Sequence, residues 1–444
     1  MIPQIKSDLI HQEENQTEPS LKERRIPGDS LTARRNFRLG VINGILFLGS
    51  ESLVDPTLVM VAFVSTLTQS PLLLGLIVPL RDGLWALPQF WISGVLQSWP
   101  QKIQWYRRVA VFRVIAWGLI ALTINLIKDP DIVLYVFFGV YIFSALLNGL
   151  GGLPFMEVVS KTIPSNQLGS FFAWRMGAGG LAGIGFSLIV RWLLDPNGPL
   201  EYPYNFGALN VLFFIGATIS LYIFSQIKEP VEIEVPPKVS FGNQFKRAIE
   251  RIGSDHQYKA FLKLITMNVF SIAAIPFFAI YVQQDLGGPK EMIGIYLAVL
   301  AATKLLANIY FGRTSHRVGY RRIVLIGTIS GLVMSLIVLV LSLFAVECHI
   351  NGFVASYILI PAYIAAGICL TGNGVGEHSL MLEIAPENNR SLYLGFTNTL
   401  WGLLFLMTGL SGVLVDLFNF QFLFLTTVLM NIISLYFVVR INRA

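Results

Sequence analysis

The stretches "SGVLQSWPQKIQWYRR" (93–108) and "FGRTSHRVGYRR" (311–322) decide how this chain folds. Each ends a long apolar run at a glycine (Gly94, Gly312), crosses a short polar break and closes on paired arginines before the next apolar run. A second pair of breaks matches in the same way. "MEVVSKTIPSNQLGSFFAW" (156–174) and "LMLEIAPENNRSLYLGF" (380–396) set Pro164 and Pro386, with Asn166 and Asn388 two residues on, ahead of a new apolar run. The offsets are 214 residues from Arg108 to Arg322 and 222 from Pro164 to Pro386. Similar breaks recurring in the same order mark a duplicated unit.

The runs between these breaks belong in a membrane. Of 444 residues, 54% are hydrophobic and 13% charged, and the mean hydropathy is +0.64. Soluble domains carry about 25% charged residues, and an apolar stretch of about 18 residues or more is long enough to span a bilayer. Twelve such stretches are read: 37–67, 72–98, 108–127, 132–159, 169–194 and 205–227, then 259–284, 291–312, 322–346, 353–382, 391–415 and 420–440. The expected fold is all-α and polytopic, twelve helices in two pseudo-symmetric six-helix bundles, 37–227 and 259–444. The linker 228–258 joins them, and "FGNQFKRAIERI" (241–252) has the apolar spacing of a surface-lying amphipathic helix. Residues 1–36 are polar, carry both charge signs, lack an apolar signal core and read as a disordered cytoplasmic tail.

The net charge of +6 is topogenic and calls for no nucleic acid, because the basic residues gather in short loops beside the apolar runs. With both termini cytoplasmic, the internal cytoplasmic connections hold fourteen Lys/Arg against two, Lys128 and Lys290, outside. The expected location is the plasma (inner) membrane. Cys348 falls in a polar connection and Cys369 inside the following span, which argues against a bridge. No metal spacing, phosphate loop or nucleophile–base pair is present in the sequence, so the reading is no enzyme and no cofactor.

"GRTSHRVGYRR" resembles the loop motif Gly-x-x-x-Asp-Arg-x-Gly-Arg-Arg of the major facilitator superfamily. Gly312, Arg317, Gly319, Arg321 and Arg322 fit it, with His316 at the usual Asp. "EIAPENNR" is similar to that family's Glu-x-x-Pro-x-x-x-Arg signature through Glu383, Pro386 and Arg390. In the first half both motifs are eroded. The resemblance implies a transporter whose loop residues latch one access state, and leaves the solute open.

"IVPLRDGLWALPQFWISGVL" (77–96) sets Arg81 and Asp82 inside an apolar run. A charge at the bilayer centre costs about 2.5–3.5 kcal/mol on insertion scales, so these residues need partners or water. At 1.5 Å per residue, Arg81 lies about 15 Å below the outer surface, and Asp55 and Lys304 about 20 Å. Glu51 precedes Asp55 by one turn on what reads as the same helix face. The layer then offers three acids (Glu51, Asp55, Asp82) and two bases (Arg81, Lys304), leaving one carboxylate to hold a proton. Arg81 shares its face with Trp85 and Gln89 as a polar-aromatic cavity wall, with a structural Arg81–Asp55 clamp as the alternative. Asp55–Pro56, Pro79, Gly83 and Pro88 mark kinks. Glu377 and His378 are expected to snorkel or pair with loop bases, and Gly179 and Gly183 to pack helices closely. The expected function is secondary transport of a small organic solute by alternating access, with proton coupling, by a monomer in the lipid bilayer. The alternative is a transporter-like receptor or scaffold that binds a ligand without translocating it.

Overall fold

The computed structural model describes residues 30–96, 99–164, 167–231, 255–384 and 390–440. Twelve helices are long and apolar enough to cross a membrane. The first six are span 1 (Leu31–Leu67), span 2 (Pro71–Gln89), span 3 (Lys102–Leu126), span 4 (Pro130–Thr162), span 5 (Ser170–Leu194) and span 6 (Tyr204–Ser225). The second six are span 7 (His256–Gln284), span 8 (Met292–Thr314), span 9 (Tyr320–Phe344), span 10 (Gly352–Met381), span 11 (Phe396–Leu417) and span 12 (Phe420–Arg440). No strand occurs among the described residues. The first helix starts at Ser30, so residues 30–36, expected in the disordered tail, are helical. The expected surface helix at 241–252, most of the tail and Pro386 lie outside the described residues.

Both ends of each half are tied together by the repeated sequence. The first arginine of each pair caps the last span of its own half. Arg107 donates from Nε and Nη2 to Ser225 O at 2.9 and 2.7 Å. Arg321 donates from Nε to Val438 O at 2.9 Å and from Nη2 to Val439 O. These guanidiniums satisfy carbonyls that a helix end leaves without partners. Deeper in, Asn43 of span 1 donates to Ser220 Oγ of span 6 at 2.7 Å, and Ser434 of span 12 donates to Asn268 of span 7. The duplication is therefore a repeated set of hydrogen bonds as well as a repeated spacing. Gly319, before Arg321, has φ +83°, a conformation that suits glycine and few other residues.

Span 1 is broken where Asp55–Pro56 predicts. Proline lacks the N–H a helix needs and clashes with the preceding turn. The chain therefore leaves the helix through a 3₁₀ turn at Ser52–Val54, extends at Asp55 (φ −52°, ψ 123°) and resumes as a π turn over Pro56–Met60. Asp55 caps the new start, its Oδ1 accepting from Thr57 N at 3.0 Å and Leu58 N at 2.9 Å. Span 2 belongs to a helix that runs unbroken from Pro71 to Leu96 through Pro79 and Pro88.

The halves meet closely on the side opposite the termini. Gly75 of span 2 abuts Gly412 of span 11, where an added methyl would lie 2.8 Å from Gly412 N. Gly83 faces Leu406, Ala86 faces Gly402, and Gly294 of span 8 abuts Arg191 of span 5. Ile275–Val282 of span 7 are all buried, joining a core that draws on both halves. Within the first half, Gly179 and Gly183 let span 5 press on Leu48 and Ser52 of span 1, as their spacing predicts.

Candidate solute-binding site

Arg81 stands at the centre of the molecule. Its Nη2 pairs with Glu51 Oε1, and its Nη1 lies 3.6 Å from Asp82 Oδ1. All three side chains keep 28–34% of their surface, so they are neither sealed in nor open to bulk water. The expected Arg81–Asp55 clamp does not form: no ion pair joins them within 4.0 Å. The break in span 1 is the reason. Four residues keep a common face only in an unbroken helix, and the 3₁₀ turn with extended Asp55 changes the phase between Glu51 and Asp55. Glu51 goes to Arg81, while Asp55 spends its carboxylate on the new helix start.

Two cavities flank this layer. One of ≈ 460 Å³ is walled by the first half, with Phe47, Glu51, Trp85, Asn148 and Phe155, and by Trp401 of span 11. The other, of ≈ 430 Å³, lies between the halves and takes Asp55 and Thr57 from span 1, Lys304 and Asn308 from span 8, and Thr371 from span 10. Arg81 and Asp82 line both and form the divide. Lys304 reaches the second cavity with no ion pair among the described residues. Both volumes suit a small organic molecule.

The sequence reading missed two arginines. Arg113 of span 3 and Arg175 of span 5 line the first cavity at 7% and 9% exposure. The Arg113 guanidinium lies 4.8 Å from the Trp117 ring and 5.3 Å from the Phe47 ring. Arg175 lies 4.5 Å over Phe155 and donates from Nη1 to Asn43 Oδ1 at 2.6 Å and Gly40 O at 3.1 Å. Neither forms an ion pair with a carboxylate among the described residues. They overturn the expected charge count: the bases Arg81, Arg113, Arg175 and Lys304 outnumber the acids Glu51, Asp55 and Asp82 by four to three. The criterion that exposes Arg81, a charge inside an apolar run, also finds Arg113, eleven residues into its helix.

Of the other expected wall residues, Trp85 lines the first cavity, and Gln89 bonds back to Trp85 O at 3.3 Å without lining either cavity. Glu377 pairs with no loop base among the described residues; its Oε1 accepts from Asn268 Nδ2 at 2.5 Å inside the second half. His378 Nδ1 lies 2.9 Å from Gly374 O. Among the loop-motif residues, Gly312 leaves open space around its α-carbon and Glu383 and Arg322 are exposed. The side chains of His316, Arg317 and Arg390 lie outside the described set.

Twelve helices long and apolar enough to cross a membrane, with polar cavities among them, make this an integral, multi-pass membrane protein. Residues 260–443 match the family model described as Major Facilitator Superfamily. No curated protein sequence matches the chain. Among solved structures, the chain is similar to a POT family transporter in complex with 5-aminolevulinic acid: TM-score 0.69, 13% identity, covering 93% of this chain and 96% of that one. It is also similar to a mutant of the nucleoside transporter NupG (TM-score 0.69, 13% identity, 92% and 100% covered) and to a D-xylose–proton symporter (TM-score 0.67, 15% identity, 92% and 98% covered). The second half of the chain thus resembles the major facilitator superfamily in sequence, and the whole chain shares the fold of these solved transporters.

Proposed function

We propose that the chain carries a small organic solute across the membrane by alternating access, the solute resting on the two cavities that meet at Arg81. One observation carries this reading. One cavity is walled by the first half and Trp401, the other lies between the two halves, and the ionic layer Glu51–Arg81–Asp82 stands at their junction. A site near the midplane between two repeats becomes accessible from either side when the halves rock. The arginine-rich loops orient the termini to the cytoplasm, and the plasma membrane is the proposed location.

Proton coupling is assigned to Glu51. A solute group that engages Arg81 displaces Glu51, and a carboxylate left without its base in a site of low dielectric is best accommodated by taking a proton. Release of the solute returns Arg81 to Glu51 and expels that proton. Asp55, held as a helix cap, is the poorer carrier.

Counterflow tests the reading. Proteoliposomes are preloaded with a solute that raises the melting temperature of the purified protein. They should take up its labelled form transiently above equilibrium. Binding with no counterflow for every stabilising solute would make the protein a receptor on a transporter frame.

A further inference from the structure

Resting on that transport reading, we propose that the first-half wall is a site for an organic anion. Arg113 and Arg175 take its oxyanion head group, and Phe47, Phe155 and Trp85 take an apolar or aromatic body. Three observations converge on it. The first is charge. Three arginines and two acids line this cavity, an excess of one positive charge, and Arg81 is engaged by both acids, which leaves Arg113 and Arg175 without a carboxylate partner among the described residues. Burying an unpaired charge is costly, so a cavity that keeps two is built for a negative occupant.

The second is unsatisfied polarity. Arg113 makes no hydrogen bond among the described residues, and its Nε is buried without a partner. Asn148 Oδ1, on the same wall, and Tyr141 OH, in the small adjoining chamber beside Arg81, are also buried and unpartnered. Buried polar atoms are ordinarily satisfied; Arg113 Nε can donate to an oxyanion in this cavity and Tyr141 OH to one reaching the chamber, while Asn148 Oδ1 accepts and suits a donor group on the same solute. Arginine offers planar, paired donors that match a carboxylate or phosphonate.

The third is the duplication itself. The 214-residue offset that equates Arg107 with Arg321 sets Gly327 opposite Arg113. The 222-residue offset from Pro164 to Pro386 sets Thr397 opposite Arg175. Thr397 is held by Tyr258 at 2.5 Å, and Gly327 packs against Asn373. The second half thus builds the same frame with neither arginine. The arginines are additions to one wall, and the frame does not require them. Room is made for them locally: Gly151 faces Arg113 Nη1, where a methyl would lie 3.4 Å away, and Gly44 faces the Arg175 stem.

The test uses the purified full chain and four matched probes: phenylacetate, phenylphosphonate, 2-phenylethylamine and 2-phenylethanol, each titrated to 10 mM-scale concentration, about the weakest binding worth assigning. Melting temperature and tryptophan fluorescence are read, with inorganic phosphate as the probe lacking a body. Either aromatic anion should give a saturable shift that amine and alcohol do not, and the two anions distinguish carboxylate from phosphonate preference. Arg113→Gln should weaken the anion at least about tenfold, with partial recovery in Arg113→Lys; it is the deciding variant because Arg113 has no protein hydrogen bond to lose. Arg175→Gln is secondary, since it also breaks the bonds to Gly40 and Asn43. No anion response, an equal response to the amine, or an anion affinity unchanged in Arg113→Gln would each overturn the site. The transport reading fails separately: anion binding with no counterflow removes transport and leaves the site, whereas counterflow of a neutral or cationic solute with no anion effect does the reverse.

Discussion

Arg81→Gln should abolish exchange, lowering the initial counterflow rate about 100-fold while the protein still reaches the membrane. Arg81 holds both Glu51 and Asp82, and its removal leaves two carboxylates facing each other across a partly buried site. Breaking a buried pair by deleting one partner costs about 3–5 kcal/mol. These side chains keep over a quarter of their surface, so the low end, about 3 kcal/mol, applies, and each 1.4 kcal/mol is a factor of ten. The melting temperature should fall as well. The double variant Arg81→Gln, Glu51→Gln should recover most of that stability and none of the exchange, because the repulsion is gone and the solute contact has not returned. Normal exchange by the single variant would mean that the ionic layer is scaffolding.

Glu51→Gln should keep counterflow and lose accumulation. With one proton moved per solute anion, a gradient of one pH unit sustains about tenfold accumulation on the alkaline side, since a tenfold concentration ratio and one pH unit are the same 1.4 kcal/mol. In Glu51→Gln that ratio should fall to about one, because glutamine neither gives nor takes a proton. Asp55→Asn is the control. Asparagine keeps an oxygen for Thr57 N and Leu58 N, so accumulation should survive. The opposite result, accumulation lost in Asp55→Asn and kept in Glu51→Gln, would return the proton to Asp55.

What the sequence reveals and what it hides divide on physical lines. Span number and duplication rest on hydropathy and loop spacing, which are local, and both survive in the structure: Arg107 and Arg321 cap equivalent helix ends. The fixed rise of a helix sets Arg81 near the depth of Asp55 and Lys304, with Glu51 about one turn deeper than Asp55. Which acid meets Arg81 does not follow from it, because one 3₁₀ turn and one extended residue reset the helix phase beyond Val54. Arg175 is hidden for a different reason. It lies five residues into span 5, where a basic residue reads as an interfacial anchor, and only packing against Gly40, Asn43 and Phe155 turns it into the cavity. The Glu377–Asn268 bond likewise joins spans 10 and 7, which no periodicity relates.

The central claim is that the halves rock about the Arg81 layer, and distances between them test it most directly. Paired spin labels go on exposed positions in different halves of a Cys348→Ser background: Lys128 with Glu347 on the side opposite the termini, and Gln104 with Arg322 on the terminal side. Pulsed dipolar resonance in nanodiscs should show two populations in each pair. The state in which the first pair is nearer should be the one in which the second pair is farther. Solute or a change of pH should shift weight between them in opposite senses for the two pairs. One fixed distance in each pair, whatever the pH and whatever solute is bound, would contradict alternating access in this protein.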